Sequence, residues 1–459
     1  MILVGLVLFL GFILRVVLVH RIIVGDIMAY LEWGEKIWMW GARTYYFGQH
    51  PWYYSPPNYP PIAALLFGGL DWLWQHKYIT AQLHNLIRFP PAVFIIYFYK
   101  YGQILLYKLV PILCDLGLGI IAFKVTESLT KNYNSIQEHP DIIGDELNAD
   151  MSSSFGGKPR FSKRGGCHWR AFGALTFFVL NPITIFISGA WGQTDSLVAI
   201  FGFLSFVLLA TGKLNLSMFL FFVGMYIKPS WGIFIPFYLY ALYLKKPNLK
   251  SILPGIIAVL ITLFIVSAPF AEKGVIHFTK AMWVDKYIIP VKSVGKASVS
   301  AFNFHTIFLK VDRSLFNTKY LGVIPADKLG LIIFFVLNVI AFKFLKKQKN
   351  FLWGITVGMF ILGLGSFLFM SNMLERYFFP GFAPLVIIMF TDFKTLVYGI
   401  IMNLVLMANV IWAFYRRGLD EIDHPFTGNN FLLIRVLSVV IVYSFAKITS
   451  KMLQFKRGR

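Results

Sequence analysis

Asp26, the polar run Trp191-Gly192-Gln193-Thr194-Asp195-Ser196, Lys228 and the pair Glu375-Arg376 carry the side chains of this sequence that can do chemistry, and each borders or interrupts an apolar stretch. Asp26 stands in Gly25-Asp26 at the head of a helical pattern. A carboxylate there reads in two ways. It can cap the helix by accepting first-turn amides, or it can act as a general base, kept ionised by the helix dipole and within reach of a hydroxyl. Both can hold at once.

In the turn Gly189 to Ser196, Trp191 beside Gln193 and Asp195 combines an aromatic plane with hydrogen-bonding neighbours, which suits a sugar ring. The same Gly, Thr and Asp also suit an ordinary turn between two helices. Lys228-Pro229 interrupts an apolar run. A lysine there is costly unless it faces a cavity, an anion or an interface, so it reads as a broken helix exposing a cation or as a side chain snorkelling to the surface. Arg376 can grip a phosphate with its planar fork, or pair with Glu375. Lys280, Lys286, Lys292 and Lys296 lead into Ser300-Ala301-Phe302-Asn303, while His277 and His305 stand alone and read as satisfied loop histidines.

The elements that must position these residues are membrane helices. The chain of 459 residues is 57% hydrophobic, 18% aromatic and only 14% charged. Its apolar runs have the length that crosses a bilayer. An all-α polytopic membrane protein follows, one unit over 1–459, with about twelve spans near 2–20, 102–123, 171–188, 196–212, 214–227, 229–244, 251–269, 329–345, 351–370, 378–391, 395–414 and 430–449. The first lacks a small-residue cleavage site and reads as a retained helix. Basic residues in 124–170 (Lys158, Arg160, Lys163, Arg164, Arg170), at Lys245-Lys246, at Lys346-Lys347 and at Lys456-Arg457 place those segments inside. Loops 21–101 and 270–328 then face the extracytoplasmic or luminal side, as do the short loops carrying Trp191 and Arg376.

The net charge of +22 is spread over span ends, which fits lipid headgroups and phosphates and speaks against nucleic acid. Cys114 and Cys167 are too few for a disulfide framework or a metal site. The stretch 152–159 has the composition of a flexible insertion, and no internal repeat is evident. In the first loop Ile27, Tyr30, Leu31, Gly34, Ile37, Trp38 and Gly41 recur at helical spacing opposite Glu32, Glu35 and Lys36, predicting an amphipathic surface helix, with a second after Pro60-Pro61. There is no Gly-rich phosphate loop, no Asp-x-Asp and no cluster with metal spacing, so neither metal nor nucleotide cofactor is expected. An enzyme so built would need an activated donor delivered through the bilayer, and a lipid-phosphate sugar fits that need.

Gly25-Asp26, Asn58-Tyr59-Pro60-Pro61, the Asn181-Pro182 entry to the Trp191–Ser196 loop, Tyr226-Ile227-Lys228-Pro229, Ser300-Ala301-Phe302-Asn303 and Glu375-Arg376-Tyr377 occur in that order. As a set they resemble the GT-C superfamily of integral-membrane glycosyltransferases. The nearest likenesses are the glucosyltransferases of asparagine-linked glycosylation and prokaryotic relatives of a GPI mannosyltransferase. The resemblance implies a GT-C fold and an inverting transfer of glucose or mannose from a dolichyl- or polyprenyl-phosphate sugar, by a monomer among membrane lipids. Its acceptor would be a lipid-linked oligosaccharide, glycolipid or protein. It implies Asp26 as catalytic base. Tyr59, Asn303 and Glu375 would join Trp191, Gln193 and Asp195 around sugar and acceptor. Where the family carries a histidine for the donor phosphate this chain has Leu374, which moves that role to Arg376, with Lys228 assisting. A transporter or flippase of a lipid-linked or anionic substrate is the alternative, and it accounts poorly for so long a first loop.

Overall fold

The computed structural model describes residues 2–138, 164–416 and 418–454. It is 79% helical, with a single two-residue hairpin, Lys319–Tyr320 against Ile324–Pro325, among the described residues. Six helices are long and apolar enough to cross a membrane, and the pair His168–Val179 and Pro182–Trp191, bent by 41°, makes a seventh if taken as one span. Four shorter apolar helices, Ile2–Leu18, Asp195–Ala210, Leu214–Ile227 and Phe379–Thr391, join them. The protein is therefore an all-helical, multi-pass integral membrane protein. All twelve regions read as spans are helical, several of them broken.

Two helices of similar apolarity show how the bilayer enters the fold. In Phe351–Phe369, 89% of the membrane-length window is buried inside the protein, against 11% in Leu249–Phe270. The second can keep Leu260, Phe264 and Ile265 exposed only because lipid solvates them. Phe351–Phe369 in contrast packs against Phe379–Thr391 through Gly363 and Gly381, whose added Cβ atoms would each lie 2.6 Å from facing backbone.

The span expected at 102–123 is the middle of a helix running Ala92–Glu138. At 1.5 Å per residue its 47 residues cover roughly 70 Å, more than twice the hydrocarbon thickness of about 30 Å, so it projects beyond the bilayer. Within the hydrophilic stretch 124–170 the first part continues this helix to Glu138, and Arg164, Cys167 and Arg170 belong to the helix Arg164–Val179. Lys158, Arg160, Lys163 and the 152–159 stretch lie outside the described residues.

The first long loop is built from the helices Gly25–Trp40, Ala42–Tyr45, Pro61–Gln75 and Tyr78–Ile87. Ile27, Tyr30, Leu31, Gly34 and Ile37 are buried as the periodicity predicted. Glu32, expected on the polar face, is buried too. Its carboxylate accepts the backbone amides of Tyr53 at 2.7 Å and Tyr54 at 3.0 Å, anchoring the connection that carries Tyr59. Trp38, expected on the apolar face, is 61% exposed, with its indole N–H donated to the Gly68 carbonyl at 2.8 Å. Helix Gly25–Trp40 thus packs against Pro61–Gln75 on more than one side, with Tyr30 stacked on Phe67 at 4.9 Å between ring centroids.

Candidate functional site

Asp26 lies one residue inside the helix Gly25–Trp40, whose N-cap is Val24 and has no side-chain cap. The capping reading is thereby corrected. Its carboxylate turns instead to the 189–196 turn: Oδ2 accepts from Trp191 Nε1 at 2.9 Å and Gln193 Nε2 at 2.6 Å. That turn exists because the π-helical segment Phe186–Trp191 ends at Gly192, left-handed at φ 78°, a conformation that favours glycine. Gln193 is itself oriented. Its Oε1 accepts from the Tyr30 hydroxyl at 3.3 Å, which leaves Nε2 to face Asp26, and Tyr30 also meets the Tyr59 hydroxyl at 3.2 Å.

Beside this cluster, in which a carboxylate has neutral partners, lies one of paired charges. Helix Leu214–Ile227 stops at Lys228, which is extended (φ −150°, ψ 123°) as the residue before Pro229 must tend to be. The lysine does not snorkel. It is buried, with Nζ 2.8 Å from Asp195 Oδ1 and above the rings of Tyr59 (5.4 Å) and Tyr377 (5.7 Å). Asp195 Oδ2 is also 3.7 Å from Arg376 Nε. Arg376 Nη1 donates to Glu375 Oε1 at 2.7 Å, and Ser300 Oγ donates to Glu375 Oε2. The guanidinium lies 5.2 Å from the Trp191 ring centre, so Trp191 joins the two clusters. Burial works against the Arg376 charge, but Glu375, Asp26 and Asp195 outweigh it and hold the pKa well above the ordinary arginine value.

Both clusters open on one cavity of about 500 Å³. Asp26, Tyr59, Asp195, Lys228 and Arg376 line it, as does Leu374. Trp191, Gln193, Glu375 and Asn303 do not. The first three support residues that do, since they hold Asp26 or Arg376 in place. Asn303 is elsewhere: it caps the helix Phe304–Phe308, its side chain accepting the amides of His305 and Thr306 at 3.1 and 3.3 Å. Its Nδ2 donates to the Phe367 carbonyl at 3.4 Å, so the fully buried Asn303 side chain is engaged on both sides and stands apart from the cavity where a sugar contact was expected. His305 bridges Tyr320 Oη and the Phe369 carbonyl, each at 2.9 Å, and burial pushes its pKa down to about 4. It is a satisfied structural histidine. Among the described residues no three His, Cys, Asp or Glu side chains gather as a metal would require.

Two further groups of residues border the site. Tyr287 lines the cavity from a π-helical segment, Val284–Ile288, whose position no local pattern signals, and Lys286, noted only as one of four basic residues, lines it too. Arg15, Lys108 and Asp115 are fully buried in apolar helices beneath the 189–196 turn. Charges inside apolar runs were the available signal for these three.

Chemically, one oxygen of Asp26 is fixed by two N–H donors, and no hydrogen bond to Oδ1 is made among the described residues. That oxygen can take a proton from a hydroxyl held in the cavity, next to cations able to bind an anion. Compared with known proteins, the chain matches no family model and no curated protein.

Proposed function

We propose that this protein is an inverting GT-C-type glycosyltransferase. It moves glucose or mannose from a dolichyl- or polyprenyl-phosphate sugar to a hydroxyl of a lipid-linked oligosaccharide, glycolipid or protein, on the extracytoplasmic or luminal face. Asp26 takes the proton of the acceptor hydroxyl while the hydroxyl oxygen bonds to the anomeric carbon. The bond from that carbon to the phosphate oxygen breaks, and its electron pair leaves with the lipid phosphate. Arg376 and Lys228 stabilise that phosphate as its charge grows. The supporting observation is a carboxylate oriented by Trp191 and Gln193 on the wall of a cavity that also holds both cations. The all-helical, multi-pass membrane architecture and the order of the motifs fit the same reading.

The test supplies membranes containing the protein with radiolabelled polyprenyl-phosphate glucose or mannose. A new labelled glycolipid or glycoprotein is expected, and Asp26→Asn should abolish it while the protein remains folded. Label that only crosses the bilayer would favour transport and sink the transferase reading.

A further inference from the structure

Lys108 lies within the long helix Ala92–Glu138 and is fully buried. An ammonium has three N–H donors. Here they meet three backbone carbonyls, Val19 at 2.9 Å, Ile22 at 2.7 Å and Ala190 at 2.5 Å, and no carboxylate pairs with it among the described residues. Val19 and Ile22 form the exit of the first helix, four residues ahead of Asp26 at the nearer point. Ala190 directly precedes Trp191. One side chain therefore ties together the two chain segments that deliver the carboxylate and its two donors.

The contact extends along the side chain. A Cβ at Gly192 would lie 2.9 Å from Lys108 Cγ and 3.1 Å from Cε, so the turn rests on the lysine stem. Residues 108, 111 and 115 share one helix face by their spacing. The Pro111 carbonyl accepts from Ser196 Oγ at 3.0 Å, and Asp115 pairs at 3.4 Å with Arg15, which also donates to Ser188 Oγ at 3.1 Å. This face grips the turn near both ends, and Lys108 at its centre. A buried charge without a counter-ion is costly, and an apolar residue would satisfy packing alone; the ammonium adds a fixed distance between three carbonyls.

We infer that Lys108 is a positioning residue for the Asp26 site, setting the distance between the carboxylate and the Trp191–Gln193 donors through the carbonyls of Val19, Ile22 and Ala190. The inference rests on the reading of Asp26 as the base, which gives that distance its consequence.

The experiment compares wild type, Lys108→Met, Gly192→Ala and Phe445→Leu in detergent-purified full chain. Each is assayed with the polyprenyl-phosphate hexose that wild type turns over, and its thermal unfolding is recorded. Lys108→Met keeps the stem and removes the ammonium; Gly192→Ala presses on the same stem from the turn, should Lys108→Met not fold. Phe445, buried far along the chain against Phe360 and Phe369, serves as a reference for general loss of stability. Misplacement predicts a fall in kcat of about 100-fold with the donor KM changed less than about threefold. Unchanged kcat in Lys108→Met overturns the inference. So does a loss of kcat and donor KM together, tracking the melting temperature as in Phe445→Leu. No transfer by wild type would instead overturn the glycosyltransferase reading, and this inference with it.

Discussion

The two halves of the cavity hold their charges by opposite means. Around Asp26 the hydrogen-bond partners are neutral N–H groups of Trp191 and Gln193, so the carboxylate is oriented without a direct ion pair among the described residues, with Arg376 acting on it only at longer range. Around Lys228 and Arg376 the partners are the carboxylates of Asp195 and Glu375, so two cations are matched by two acids. A base held by dipoles is ready to act as it stands. A self-neutralised ion network must exchange a partner when an anion arrives, and the 3.7 Å separation of Arg376 Nε from Asp195 Oδ2, each atom buried without a hydrogen bond, marks where that exchange is easiest.

Replacing Asp26 by Asn keeps the shape and removes the base, so kcat should fall by about 10²- to 10⁴-fold with unfolding temperature unchanged; steady-state transfer assays decide it. A small effect would break the contrast, since the dipole-held side would then not be the reactive one. Asp195→Asn acts on the other half and should cost stability, about 3–5 kcal/mol, because buried Lys228 loses its counter-ion. Denaturation in detergent should show the loss, and the double variant Asp195→Asn with Lys228→Met should recover most of it.

Arg376→Lys retains charge but not the fork, and should raise the donor KM by about tenfold with little change in kcat. A change in acceptor KM instead would move Arg376 to the opposite half. The smallest effect is expected outside both halves: Asn303→Ala removes a helix cap, lowers stability by about 1 kcal/mol and leaves transfer kinetics alone. Altered sugar selectivity in that variant would return Asn303 to the site.

The residue types and their order made much of the site legible. Asp26, Lys228, Asp195 and Arg376 stood out because a charge beside an apolar run is costly and needs a reason. Periodicity likewise foresaw the buried face of Gly25–Trp40 through Ile27, Tyr30 and Ile37. It misjudged Glu32 and Trp38, because a single-helix pattern assumes one dry face and one wet face, while this helix is covered by Pro61–Gln75 and the 53–54 backbone together. Asn303, which caps a helix away from the cavity, shows a related ambiguity. A capping amide and a sugar-binding amide are the same residue type, and only the neighbouring amides of His305 and Thr306 distinguish them.

By itself the sequence determined that this is a helical membrane protein, since runs of apolar residues of bilayer length satisfy their backbone only as helices. It also determined which charged residues sit at the ends or breaks of those helices. Tertiary structure alone decided which of them meet. Asp26 and Gln193 are 167 positions apart, and Lys108 reaches carbonyls 82 to 89 positions away. No local propensity encodes such pairings; they arise where several helices pack at once around a buried charge that has to be satisfied.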